Sequence, residues 1–161
     1  MKTLWFFLAL ALVNPAAQAN IGDSLEQSIA KYGPIYTHPG IKYRGTATWF
    51  QKNGFVILTD FRDGKCVYME YARDRLSFRS PIVQLTPTEI SFLLKQNSSN
   101  TQWTYDTGSS TLQNQYFIEP HHLLCAHYSS QDGELYIMTA DYMAEKAQET
   151  KTREINNVQG L

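Results

Sequence analysis

The sequence has little cysteine, with Cys66 and Cys125 alone among 161 residues, and no excess of either charge, 14 Lys and Arg standing against 15 Asp and Glu. It has no glycine-rich phosphate loop, no dinucleotide fingerprint, no serine elbow and a single Asp-Thr-Gly. Each lack excludes something. Balanced charge, with basic residues scattered from Lys31 to Arg153, argues against nucleic acid or an anionic membrane surface as partner. After residue 19 no stretch reaches the roughly 20 apolar residues that a membrane-crossing helix needs.

What the chain does have begins with an export signal. Lys2 supplies a basic start, Leu4–Val13 an apolar core too short to span a bilayer, and Ala17-Gln18-Ala19 a small-x-small cleavage site. Residues 1–19 are therefore expected to be removed, leaving a periplasmic or secreted protein that starts at Asn20. No cysteine stands just after the apolar core, so no lipid anchor is expected. About 140 residues, rich in Tyr, Phe, Leu and Ile, are enough for one domain with its own core. In an oxidising compartment an even cysteine count predicts a bond. A Cys66–Cys125 disulfide would close a loop of about 58 residues and remove about 4 kcal/mol of denatured-state entropy.

"DSLEQSIAKYGP" reads as a first helix, capped by Asp23 or Ser24 with Glu26 placed to close a capping box from Asp23, and stopped by Gly33-Pro34. "TPTEISFLLKQN" repeats that grammar with Thr86 as cap, Pro87 at the first helical position and Glu89 closing the box. Between them, β-rich runs meet at Asn53-Gly54 and Asp63-Gly64, strong hairpin signals because both central residues take positive φ. A two-residue turn at Asp63-Gly64 sets Phe61 opposite Cys66, Thr59 opposite Tyr68 and Leu58 opposite Met69, with Cys66 on the face of Phe61 and Tyr68. After the second helix come "QWTY", "NQYFIEP", "LLCAHYSS", a turn at Asp132-Gly133 and "ELYIMT". A helix followed by three strands thus occurs twice, at about 40–46 residues from cap to turn. The tail from Asp141 predicts a third helix, capped at Asp141 or Thr139, with Glu149 and Arg153 spaced as an ion pair. The fold class is α+β: an antiparallel sheet with helices on one face, two helix-plus-three-strand units, and a C-terminal helix. The domain is expected to cover 20–155, with 156–161 a flexible tail.

The stretches "GDSLEQSIAKYGP", "FRDGKCVYMEY", "LTPTEISFLLKQNSSNTQW" and "AHYSSQDGELYIMTADY", in that order, resemble a group of small exported bacterial proteins whose function is not established. At the level of architecture, a capped helix followed by antiparallel strands and repeated, the chain is similar to the β-lactamase-inhibitory protein fold and to small outer-membrane assembly lipoproteins. That resemblance implies a binding module, though the anchor cysteine of those lipoproteins is missing and fold alone does not fix function.

Three sites invite a catalytic reading. "DTGSS" at Asp106 matches the loop of pepsin-like proteases, whose chemistry needs two facing carboxylates that share one proton. Only one copy occurs, and the polar Gln102-Trp103-Thr104-Tyr105 before it is not the apolar strand that buries such a loop. The loop reads as a surface turn, with Trp103 packed inward. In "HHLLCAH", His121, Cys125 and His127 fall on one strand face with donors that suit zinc, yet they span about 20 Å along a flat strand at about 3.3 Å per residue. His122 and His127 could activate a thiol, but no cluster of positive charge surrounds either cysteine. Glu119, Asp132 and Glu134 read as solvated edges. Of the aromatic residues Trp49, Phe50, Trp103, Tyr116 and Phe117, most are expected in the core, any left exposed forming a partner surface.

These readings favour a non-enzymatic, monomeric or weakly associating exported protein that binds a protein, peptide or envelope component through its uncovered sheet face. No cofactor and no metal are expected. The alternatives are a small hydrolase acting at Asp106 or at His121, Cys125 and His127, and an immunity or inhibitor protein, which is a special case of binding.

Overall fold

The computed structural model describes residues 20–37, 47–74, 81–98 and 102–159, without the side chains of 156–159; the leader expected over 1–19 lies outside the described residues. Helix α1 (Leu25–Tyr32) is capped by Ser24, whose Oγ accepts from Gln27 N at 3.3 Å while Gln27 Oε1 accepts from Ser24 N at 2.7 Å. The box closes one residue later than Asp23 and Glu26 would have closed it, because Asp23 is drawn to Lys31, 2.6 Å away. Helix α2 (Pro87–Asn97) starts as expected, Thr86 Oγ1 accepting from Glu89 N and Glu89 Oε2 from Thr86 N at 2.8 Å.

Strands β1 (Thr48–Lys52), β2 (Phe55–Arg62) and β3 (Lys65–Arg73) form a meander. Its two turns have positive φ at both positions, 52° and 77° at Asn53-Gly54 and 50° and 73° at Asp63-Gly64, matching the twist of the strands they join. After α2 come β4 (Thr104–Tyr105), β5 (Asn114–Ile118), β6 (Leu124–Ser129) and β7 (Glu134–Thr139). All are antiparallel in one seven-stranded sheet of order β1-β2-β3-β7-β6-β5-β4. The two helix-plus-strand units therefore meet at the sheet centre through their last strands. The order β1-β2-β3 on one side of the central pair is thus mirrored by β5-β6-β7 on the other.

Side chains are sorted between the faces by a bulge at Asp60/Phe61. Phe61 opposes Cys66, but Thr59 opposes Met69 and Leu58 opposes Glu70, one residue beyond the simple hairpin register, with Val67 left over. Tyr68 consequently does not share the face of Cys66. Cys66, Met69 and Tyr71 join Phe50, Ile57, Leu93, Leu94, Leu135 and Ile137 in one core that draws on both units. Each fully buried large side chain there contributes about 1.5–3 kcal/mol by leaving water. Helices α1 and α2 cover this face. Tyr32 Oη lies 3.0 Å from Tyr71 Oη, and Asn97 Nδ2 donates to Tyr71 Oη at 3.0 Å, tying both helices to β3.

Helix α3 (Ala140–Gln159) follows β7 directly, Thr139 Oγ1 accepting from Tyr142 N at 3.2 Å. It continues past the boundary expected at residue 155, and it pairs Glu149 with Lys146 at 2.9 Å rather than with Arg153. Its first turn reaches the other side of the sheet, where Tyr142 Oη donates to Asp60 Oδ2 at 3.2 Å and its ring stands 5.4 Å from that of Tyr68. No described helix is long and apolar enough to cross a membrane.

The bulge also overturns the expected disulfide. Cys66, 1% exposed, lies on the helix-covered face with its Sγ donating to Tyr68 O at 3.3 Å. Cys125, opposite Met138, faces the other way, its Sγ 3.4 Å from Met143 Sδ. Both are free thiols. A bridge needs Cβ atoms about 3.8 Å apart, which residues on opposite faces, with β7 between their strands, do not reach. Burial pushes the Cys66 thiol up to about 12, so thiolate is scarce there at neutral pH. We expect a thiol reagent to label Cys125 in the native protein and Cys66 only after unfolding. Finding no titratable thiol in denaturant without reductant would restore the bridge.

Candidate binding face

The side of the sheet away from α1 and α2 carries a row that runs straight across six strands. Register places Trp49 beside Leu58, then Glu70, Tyr136, His127 and Tyr116. At about 4.8 Å per strand the row is about 24 Å long. A second row beside it runs Asp60, Tyr68, Met138, Cys125 and Ile118. Of the described helices, only the start of α3 reaches this face, over Asp60 and Tyr68.

The His127 ring is sandwiched between two tyrosines, 4.6 Å and 10° from Tyr116 and 5.5 Å and 17° from Tyr136. Its Nε2 lies 2.9 Å from Asn114 Oδ1, which fixes the ring's orientation. Burial lowers the His127 pKa, with Asp132 opposing, so the imidazole is neutral at pH 7. Next in the row, Glu70 accepts from Tyr68 Oη at 2.8 Å, and Tyr136 Oη donates to Glu134. Burial pushes Glu70 up to about 7; the Tyr68 hydrogen bond opposes this, while the carboxylates of Glu134 and Asp132 reinforce it. The face is a rigid surface of stacked rings with one carboxyl poised to change charge near neutral pH.

The residues singled out from sequence do not converge. Asp106 Oδ1 accepts from Gly108 N at 3.0 Å and Ser109 N at 3.4 Å, so the Asp-Thr-Gly run is a turn closed by its own aspartate. Hydrogen bonding from the Ser109 side chain and the Gly108 backbone lowers the pKa of Asp106, so the turn itself stabilises the ionised carboxylate. Asp106 N donates to Tyr116 O, which sets Asp106 two strands from His127 with the Tyr116 ring between them. His121 and His122 lie before β6 in a turn, His122 at φ 57°, and do not continue its strand. That turn is organised by Glu119, which is buried rather than solvated, its Oε2 accepting from His121 N at 3.0 Å and Leu123 N at 3.4 Å. His121, Cys125 and His127 are therefore not assembled, and among the described residues no group of three or more His, Cys, Asp and Glu is placed to hold a metal ion. Trp103 packs against the core as expected, and Tyr116 is exposed.

Sequence reasoning missed Glu70, Tyr68 and Tyr136. The signal was the alternation in "VYMEY", where Tyr68 and Glu70 interleave with the buried Met69 and Tyr71, but the bulge had to be placed before that alternation could be assigned to faces.

No family model matches the chain, and no curated protein matches it. Among solved structures, it is similar to the crystal structure of an extracellular protein containing a SCP domain from Bacillus anthracis str. Ames, with 12% identity and a TM-score of 0.38 over 89% of this chain. The chain spans 50% of that protein's length.

Proposed function

We propose that this is an exported, non-catalytic binding protein whose partner is another protein or an envelope component, seated on the row Glu70, Tyr136, His127 and Tyr116. The observation that carries the reading is the stack of Tyr116, His127 and Tyr136, held flat by three adjacent strands. Rigid aromatic side chains with polar ends are the groups that anchor protein interfaces, because they bury much area and lose little conformational freedom. The export reading rests on the leader-like residues 1–19, and the architecture is one that resembles binding modules.

A Tyr116→Ala, His127→Ala double variant tests it. Both side chains project from the sheet away from the core, so the variant should fold. Cross-linking in envelope extract should capture a partner with the wild type, and the double variant should lose at least tenfold in affinity for it. Equal capture by both chains, or a turnover activity that survives the double substitution, would overturn the proposal.

A further inference from the structure

On the helix-covered face, a groove of about 510 Å³ runs between the flank of α2 and the edge strands β4 and β5. We propose that this groove binds a small aromatic carboxylate. The site stands apart from the row on the opposite face and does not depend on it.

The groove is preformed. Trp103 makes one wall, its Nε1 donating to Leu94 O at 2.7 Å, so the indole is fixed against α2. Phe117 lies on β5 and Tyr105 on β4, with ring centroids 5.6 Å apart in an edge-to-face pair. These rings offer faces and edges to a flat apolar ligand. The volume lies within the range of small-molecule sites, which are concave, mostly apolar and carry a few orienting polar groups.

The polar groups specify the rest of the ligand. Ser91, Lys95, Gln102 and Gln115 line the groove, and among the described residues none of their side chains has a polar partner. Lys95 is the telling one. Lys95, like Lys52, Lys65, Lys151 and Arg153, has no carboxylate partner among the described residues, but of these it alone lines the groove, and no carboxylate lines it. An exposed ammonium on the rim of a groove that also holds three aromatic rings is placed to meet an anion attached to an apolar ring. The hydroxyl of Ser91 and the amides of Gln102 and Gln115 supply further donors to the carboxylate oxygens. A neutral ring would fill the space and leave the charge unanswered.

The test is a titration followed by ¹⁵N–¹H NMR at low ionic strength, with 2-naphthylacetate as probe and its uncharged twin 2-naphthylacetamide as control. The carboxylate should saturate with shifts at Ser91, Lys95, Gln102, Gln115 and the Trp103 indole, and bind about tenfold tighter than the amide. Lys95→Gln should remove that tenfold advantage while leaving amide affinity unchanged. Ser91→Leu, which fills the groove from an exposed helix position, should weaken both probes. Equal affinity for the two probes, shifts that map to Tyr116 and His127, or no saturation would each overturn the proposal. Shifts at the groove that appear on concentrating the protein without ligand would give the groove to a second copy of the chain instead.

Discussion

At pH 8 a Glu70→Gln chain should be more stable than the wild type by about 2–3 kcal/mol, and at pH 4 the two should unfold together. Glu70 is raised from its ordinary value to about 7 in the folded protein, first by burial and then by repulsion from Glu134 and Asp132. In the unfolded chain it titrates near its ordinary value of 4.5. Below that pH the carboxyl is neutral in both states and adds nothing to the difference. Between about pH 4.5 and pH 7 the folded state holds a proton that the unfolded state has released, so stability falls as pH rises. Above pH 7 the folded protein carries a half-buried carboxylate, and the penalty is complete. Glutamine keeps an oxygen to accept from Tyr68 and removes the charge. Thermal unfolding across pH 4–8 measures the difference, with a gain of about 5–10 °C expected at the alkaline end. A difference that stayed constant with pH would show that Glu70 is not held in its neutral form by the fold.

That prediction rests on register, which the sequence disclosed only in part. Caps and tight turns were legible because their causes lie within four residues. Thr86, Pro87 and Glu89 set the start of α2, and Asn53-Gly54 and Asp63-Gly64 take the positive φ that their residue types permit. The bulge that leaves Val67 unpaired has no such mark: the nearby Gly64 is already accounted for by the hairpin turn, and the step is favoured because it turns Cys66, Met69 and Tyr71 together into the core. One slip of a single residue moved Tyr68 and Glu70 onto the open face and parted Cys66 from Cys125. Sheet order was equally non-local. The pairing of β3 with β7 joins residues about 70 apart in sequence, so the row from Trp49 to Tyr116 exists only after the two units have docked. Asp106 and the histidines were conspicuous because motifs are local. The face that assembles is conspicuous only in three dimensions.

The second large effect is a contrast between the two glycines that end the β2–β3 and β6–β7 turns. Gly64 joins β2 to β3 at φ 73°, and Gly133 precedes β7 at φ 72°. In both, alanine must adopt a left-handed conformation that costs about 1–2 kcal/mol. Their surroundings differ. A Cβ on Gly64 would meet nothing within 4 Å, whereas one on Gly133 would lie 2.8 Å from Ile82 Cγ2 and 2.9 Å from Val83 O. The second of these contacts is with backbone and has no rotamer by which to retreat. Ile82 and Val83 belong to the segment that leads through Leu85, buried in the core, to the cap of α2 at Thr86. Relieving the clash therefore displaces either the β6–β7 turn or the approach to α2, adding about 1–3 kcal/mol of overpacking to the backbone term. Gly64→Ala should lose about 1–2 kcal/mol in urea unfolding, and Gly133→Ala about 2–5 kcal/mol, enough to leave a domain of this size marginal. Ile82→Ala, whose own side chain is largely exposed, removes the Ile82 Cγ2 contact and leaves the Val83 one, so it should recover part of the loss in the Gly133→Ala background and none in the Gly64→Ala background. Equal losses at the two glycines would mean that residues 82–83 do not pack against the turn, and that the link carrying the chain from one unit to the other is not braced by the second hairpin.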